Sequence, residues 1–83
     1  MRNEGDTLTP NEIKQLRLDF GLAQKRPIVM TQAAFARYLR LRSAATVNRW
    51  ETGRTAPLPA TMNKLLRLRE RTPRRVELEE VTP

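Results

Sequence analysis

The side chains best suited to chemistry share one face of a short helix that the sequence predicts at residues 44–52. They are small or polar, with one cation and no acid, at helical spacing: Ala45, Asn48, Arg49 and Thr52. Asparagine can pair with adenine N6 and N7, arginine with guanine O6 and N7, and alanine or a threonine methyl can touch the thymine methyl. A purely structural exposed face would more often carry Glu and Lys in i,i+4 pairs. The pattern therefore suits entry into the major groove of duplex DNA.

This helix and the one before it must meet at a tight corner. Thr31 is the predicted N-cap of a helix at residues 32–40, and Ser43, after the corner, caps the helix that Gly53 ends. The inward positions of the pair are apolar apart from one glutamate: Phe35, Ala36, Leu39, Val47, Trp50 and Glu51. Two interpretations of Trp50 stay open, because its indole could lie in the core or against a phosphate.

The first helix of the chain has a strong start signal. Thr9 is an N-cap, proline follows it at the first helical position, and Glu12 closes a capping box. The helix is expected to run to about Phe20 and to stop at Gly21. Its apolar stripe consists of Ile13, Leu16 and Phe20. Arg17 falls on the same stripe, where a charge needs a partner.

A last helix is expected at residues 59–71, because Pro59 suits a first turn. Its apolar positions are Met62, Leu65, Leu66 and Leu68. The expected fold class is all-α, a compact four- to five-helix bundle with a helix-turn-helix and flexible N- and C-terminal ends. The expected boundaries are a disordered arm at residues 1–8, the helical domain at 9–71 and a tail at 72–83 that could contact a dimer partner or another protein.

Residues 22–30 are predicted to form a connection, because Pro27 excludes a continuous helix. Two interpretations of this segment stay open. It could be a surface loop with Ile28 or Val29 tucked beneath it, or a basic finger that presents Lys25 and Arg26 to a partner.

The composition argues against several classes of protein. The chain has 83 residues with no cysteine and no histidine, so it lacks thiolate metal ligands, the commonest metal ligand and the commonest general base. Its nine acids include no pair placed to form a buried dyad, so we expect no enzyme activity, no metal and no cofactor. No signal peptide and no run near the roughly 18 apolar residues of a membrane helix is present. A cytoplasmic protein without a membrane partner is expected.

The charge is concentrated in one segment. The net charge is +7, and residues 25–54 contribute +6 of it, with seven basic residues against Glu51 alone. A basic patch confined to one motif suggests a polyanionic partner. A generally basic, solvated surface and an anionic membrane surface are the alternatives, although the basic residues do not lie opposite a broad apolar face.

In order along the chain, these fragments resemble the Cro/lambda-repressor-like helix-turn-helix family, also called XRE. The fragments that carry the resemblance are Ile13-x-x-Leu16-Arg17-x-x-x-Gly21-Leu22, Thr31-Gln32-x-x-Phe35-Ala36-x-x-Leu39, Thr46-Val47-x-Arg49-Trp50-Glu51-x-Gly53, and Pro57 with Met62-x-x-Leu65-Leu66. The resemblance covers roughly two-thirds of the chain. It implies a compact helical domain that binds duplex DNA, usually as a symmetric dimer.

The resemblance also implies a structural ion pair between Arg17 and Glu51, the two charged residues on otherwise apolar stripes. The sequence departs from the family pattern in three places. The connection before Thr31 is about eight residues longer, the corner has Arg40 in place of a glycine and one extra residue, and a fifth helix is absent or reduced to residues 74–83.

The expected function is that of a sequence-specific transcriptional regulator, most simply a repressor that binds an inverted-repeat operator in double-stranded DNA as a homodimer. The expected base-contacting residues are Arg42, Ser43, Ala45, Asn48, Arg49 and Thr52. The expected phosphate-contacting residues are Lys25, Arg26, Thr31, Gln32, Arg37 and Arg54. The alternatives are an antitoxin that uses the same domain and binds a toxin protein through its termini, and an adaptor for protein or RNA. Val76, Leu78 and exposed parts of the last helix are the candidates for the dimer surface.

Overall fold

Four α-helices make up the part of the chain that this computed structural model describes, residues 7–73. They are α1 (Pro10–Leu22), α2 (Gln32–Tyr38), α3 (Ala44–Glu51) and α4 (Pro59–Arg71). No strand occurs within residues 7–73, and the predicted all-α fold class is confirmed. The flexible ends were expected at residues 1–8 and 72–83, and of these residues 1–6 and 74–83 lie outside the described part of the chain.

The helix starts follow the capping signals of the sequence. Thr9 and Glu12 form the predicted capping box, since each side chain accepts a hydrogen bond from the other residue's backbone N–H. The Thr31 hydroxyl accepts from the N–H of Ala34, and the Ser43 hydroxyl accepts from the N–H of Ala45. These bonds satisfy amide donors that have no partner within their own helices. Three local signals thus fix where α1, α2 and α3 begin.

The ends of α2 and α3 have the same geometry although only one of them has a glycine. After α3, the N–H of Gly53 donates to the carbonyl of Trp50 and that of Arg54 to the carbonyl of Arg49, with Gly53 at φ 81°. After α2, Arg40 takes the equivalent position at φ 63°. Both ends are Schellman motifs, in which a residue in the left-handed region ends the helix. For this reason α2 ends at Tyr38, two residues before the predicted end.

Gly21 does not stop α1, which was the prediction, but lies inside it. The helix continues to Leu22, and the carbonyl of Gly21 accepts a hydrogen bond from the N–H of Ile28 at 3.0 Å. A Cβ on Gly21 would stand 2.6 Å from the carbonyl oxygen of Ile28 and 2.8 Å from the backbone nitrogen of Met30. The glycine is therefore required by the close approach of the following loop to α1, and not by the end of the helix.

The core is built from all four helices, with α3 packed against α1 and α2. Its buried apolar residues are Leu8, Ile13, Leu16, Met30, Phe35, Ala36, Val47, Trp50, Met62, Leu65, Leu66 and Leu68. Phe20 packs on the edge of this core, with its ring centroid 6.1 Å from that of Phe35 and 4.7 Å from that of Tyr38. The predicted inward positions of the four helices are thus largely confirmed.

Two buried residues differ from the expectation. Leu8, expected in the disordered arm, is buried, and its N–H lies 3.4 Å from the sulfur of Met62. It precedes the N-cap Thr9 and joins the same apolar cluster as Ile13, the arrangement of a hydrophobic staple. In the connection after α1, Met30 is buried instead of Ile28 or Val29, because it is the residue that lies against Gly21. No helix within the described range is long and apolar enough to cross a membrane.

Candidate nucleic-acid interface

Helix α3 has one buried face and one exposed face. Val47 and Trp50 are buried, so the indole of Trp50 belongs to the core and does not lie on the surface where a phosphate could reach it. The predicted base-contacting residues are all exposed: Arg42, Ser43, Ala45, Asn48, Arg49 and Thr52. The structure therefore places this set on one exposed surface formed by α3 and the turn that leads into it. We call the surface formed by these six residues the α3 face.

Hydrogen bonds within α3 determine which polar atoms remain for a ligand. The hydroxyl of Thr52 donates to the carbonyl of Asn48 at 2.8 Å, which leaves its methyl group as the outward feature. The hydroxyl oxygen of Ser43 accepts from the N–H of Ala45 at 3.0 Å, and its proton stays available as a donor. Arg49 and Arg42 are exposed, and no described acidic side chain forms a salt bridge with either. The α3 face thus offers cations, an amide, methyl groups and one hydroxyl donor.

The single acid of α3 is held away from this face. Glu51 accepts two hydrogen bonds from Arg17 of α1, from Nε to Oε2 at 2.8 Å and from Nη2 to Oε1 at 3.0 Å. The remaining guanidinium nitrogen, Nη1, donates to the carbonyl of Met30. The Glu51 side chain is 4% exposed and the Arg17 side chain 10% exposed. This bidentate geometry is the pairing that the family resemblance implied, and it leaves neither charge unmatched.

Gln32 connects the buried pair to the α3 face. Its amide Nε2 donates to Glu51 Oε1 at 3.0 Å, and its Oε1 lies 3.4 Å from Nδ2 of Asn48. The long second contact is a weak hydrogen bond that leaves the Asn48 amide able to exchange partners. Sequence reasoning assigned Gln32 to a phosphate only. Its bridge between Glu51 and Asn48 follows from its position directly after the N-cap of α2, which lies beside the end of α3.

Three of the predicted phosphate-contacting residues lie next to the C-terminal half of α3. Thr31 and Gln32 begin α2, beside Asn48, and the N–H of Arg54 donates to the carbonyl of Arg49 just beyond the end of α3. Arg37 is exposed on α2.

Lys25 and Arg26 are exposed in the connection after α1, and no hydrogen bond among the described residues ties their side chains to α2 or α3. The structure brings Thr31, Gln32 and Arg54 close to α3, and it gives no such contact for Lys25 and Arg26.

The electrostatics of the segment follow from these placements. All seven basic residues between positions 25 and 54 are exposed: Lys25, Arg26, Arg37, Arg40, Arg42, Arg49 and Arg54. The one acid of the same segment, Glu51, is turned inward and paired. The surface of this segment is therefore positive without a compensating carboxylate of its own, which favours contact with a polyanion.

No family model, curated protein or solved structure matches this chain.

Proposed function

We propose that this protein is a sequence-specific DNA-binding regulator that reads the major groove of duplex DNA with α3. One observation carries the proposal above the others. Every basic residue of the segment 25–54 is exposed while its single acid, Glu51, is buried against Arg17. With this carboxylate turned inward, the segment presents only cations to a partner, which favours a polyanion such as DNA.

The chemistry of the α3 face supports readout of base edges. Arg49 can donate two parallel hydrogen bonds to guanine, and the Asn48 amide can exchange its weak bond to Gln32 for a bidentate contact with adenine. Ala45 and the Thr52 methyl are small enough to let the helix backbone approach thymine methyl groups. The side chains needed for specificity therefore stand together on a helix whose opposite face is fixed in the core.

The flanking groups support a role in positioning the protein on the DNA backbone. Thr31 caps α2, Gln32 and Arg37 lie on α2, and Arg54 follows the last turn of α3 near Gln32's contact with Glu51. Contacts to phosphates fix register and orientation, and the base contacts then supply sequence preference. Lys25 and Arg26 would add charge contacts from the longer connection after α1.

The arrangement fits the Cro/lambda-repressor-like family, and we include that membership in the proposal. A helix-turn-helix of this kind acts most simply as a dimer on an inverted repeat, with its two reading helices about one turn of DNA apart. A protein bound at such a site blocks access to a promoter, so repression is the proposed outcome.

Selection of bound fragments from random duplex DNA tests the proposal. The purified full-length chain is incubated with the pool at fixed salt, and bound fragments are recovered and sequenced over several rounds. The proposal predicts enrichment of one inverted-repeat sequence. Recovery of fragments with no common sequence, or equal binding to a structured RNA pool, would overturn it.

A further inference from the structure

A groove of about 350 Å³ lies between the end of α2 and the middle of α4, and it shares no residue with the α3 face. Part of its lining is apolar, formed by the buried Leu68, the half-buried Leu39 and the ring of Tyr38, which is 50% exposed. Tyr38 is one of the few large apolar side chains that the described part of the chain leaves at its surface. A groove with this lining can bury apolar side chains of another segment.

The rest of the lining is cationic. Four basic side chains contribute to it, and all four are exposed: Arg40, Lys64, Arg67 and Arg71. No acidic residue of the described chain lines the groove. Lys64, Arg67 and Arg71 follow one another on the same side of α4, so the positive charge extends about 10 Å along the helix at 1.5 Å per residue. An occupant of the groove must therefore supply the negative charge itself.

A second copy of the same surface does not fit this requirement. In a two-fold symmetric dimer the same patch of both subunits meets, so the four cations of one groove would face the four cations of the other. Like charges brought together in this way oppose association. The groove is therefore not complementary to itself.

A nucleic acid fits only half of the lining. Phosphates match the four cations, and the ring of Tyr38 can stack on a base. Leu39 and Leu68, however, offer no side-chain donor or acceptor to the edge of a base, and covering them with a phosphate removes water from a charge without giving it a partner there. The apolar part of the groove thus favours an occupant that carries apolar side chains as well as negative charge.

We propose that this groove binds an acidic, partly apolar peptide segment of another protein. In an extended segment, alternate side chains point to opposite sides, so apolar side chains can contact Tyr38, Leu39 and Leu68 while carboxylates pair with the cations. At about 3.3 Å per residue, three or four extended residues match the length of the charged row on α4. The protein would then have two binding surfaces that share no residue, the α3 face for DNA and this groove for a protein partner.

Fluorescence anisotropy of a labelled peptide, measured with the full-length chain and without DNA, tests the proposal independently of the proposed function. The probe peptide repeats Glu-Leu four times. One control peptide has glutamine in place of every glutamate, and the other has serine in place of every leucine. The groove variant carries K64E and R67E. A matched control variant carries K14E and R26E, two exposed substitutions outside the groove with the same change of charge. Circular dichroism checks that the helix content of each variant is unchanged.

The wild type and the control variant should bind the probe alike, and the groove variant should bind it at least about tenfold more weakly, because carboxylates then meet carboxylates. Each control peptide should also bind the wild type at least about tenfold more weakly than the probe, since one lacks the charge and the other lacks the apolar contact.

Three results would overturn the proposal. The first is a groove variant that binds the probe as the control variant does, or a wild type that does not bind it. The second is a serine peptide that binds as well as the probe, or a single-stranded oligonucleotide that the groove substitutions weaken as much as they weaken the probe, since either would assign the groove to a polyanion. The third is a wild-type dimer, seen by analytical ultracentrifugation, that the probe dissociates, which would assign the groove to a second copy.

Discussion

The guanidinium of Arg17 and the carboxylate of Glu51 meet as two parallel forks, 2.8 Å apart at Nε and Oε2 and 3.0 Å apart at Nη2 and Oε1. The pair joins the middle of α1 to the last residue of α3, so it fixes the angle at which α3 stands on the core. The pair also turns inward the only acid of residues 25–54, while all the basic residues of that segment are exposed. Stability and the electrostatics of the α3 face therefore depend on the same contact.

Replacement of Glu51 by alanine should destabilise the fold by about 3 kcal/mol, because Arg17 is then left buried without its counter-ion. The midpoint and slope of urea unfolding, followed by far-ultraviolet circular dichroism, give the change in free energy. An unchanged midpoint would show that the pair carries no stability.

A double-mutant cycle separates the pair from the rest of the site. Removal of Arg17 alone leaves Glu51 buried without its counter-ion, whereas removal of both side chains leaves no buried charge unmatched. The double variant R17A/E51A should therefore lose less than the sum of the two single losses. Strict additivity would argue that the two side chains act separately.

Substitution of alanine for Gly21 should lower the free energy of unfolding by about 1–3 kcal/mol, the range expected for overpacking. The new Cβ would stand 2.6 Å from the carbonyl oxygen of Ile28, which is backbone and cannot rotate away. Chemical unfolding measures the change. In an ordinary helix interior the same substitution stabilises by about 1 kcal/mol. The sign of the measured change in free energy therefore shows whether the loop packs closely on Gly21. A gain in stability would mean that the connection does not pack on α1.

Glycine in place of Arg40 should stabilise the protein by about 0.5 kcal/mol. It removes the cost of holding an L residue in the left-handed region, partly offset by the greater freedom of glycine in the unfolded chain. Arg42 offers a matched control, since it is also an exposed arginine of the corner but has no positive φ. The R42G variant should be less stable than the wild type. Equal losses of stability in R40G and R42G would show that the positive φ of Arg40 does not strain the wild-type protein.

Much of the fold could be predicted because its signals are local. The capping residues Thr9, Thr31 and Ser43 each act on an amide two or three residues away, so short sequence patterns locate the helix starts. The buried side of α3 followed from the spacing of Val47 and Trp50, and the α3 face is what that spacing leaves exposed. The exposure of the predicted base-contacting residues could therefore be predicted from the sequence.

The rest depended on contacts between residues far apart in sequence. Gly21 has the appearance of a helix stop, and only the return of the chain at Ile28 reveals its packing role. Leu8 could not be assigned to the core without α4, because its neighbour there is Met62. The bridge from Gln32 to Glu51 and Asn48 likewise requires the relative position of α2 and α3.

Alanine in place of Lys25 should weaken binding to all duplex sequences alike, because a phosphate contact carries no base preference. The slope of log K against log salt should fall by about one, as one fewer counterion is released. Fluorescence anisotropy with the selected duplex and a scrambled duplex, each at several salt concentrations, measures both effects. The exposed Lys14 of α1 provides a control, and K14A should leave the slope unchanged. A loss of affinity for the selected duplex alone, with none for the scrambled duplex, would mean that Lys25 contacts a base.

The most direct test of the central claim is the ratio of affinities for the selected and scrambled duplexes, measured at one salt concentration for the wild type and for R49A. Loss of a bidentate arginine–guanine contact costs about 1–3 kcal/mol, so the ratio should fall by roughly 5- to 150-fold. The exposed Arg37 of α2 provides a matched arginine control, since R37A should weaken both duplexes equally. A ratio that stays at the wild-type value in R49A would contradict the proposal that α3 reads the DNA sequence.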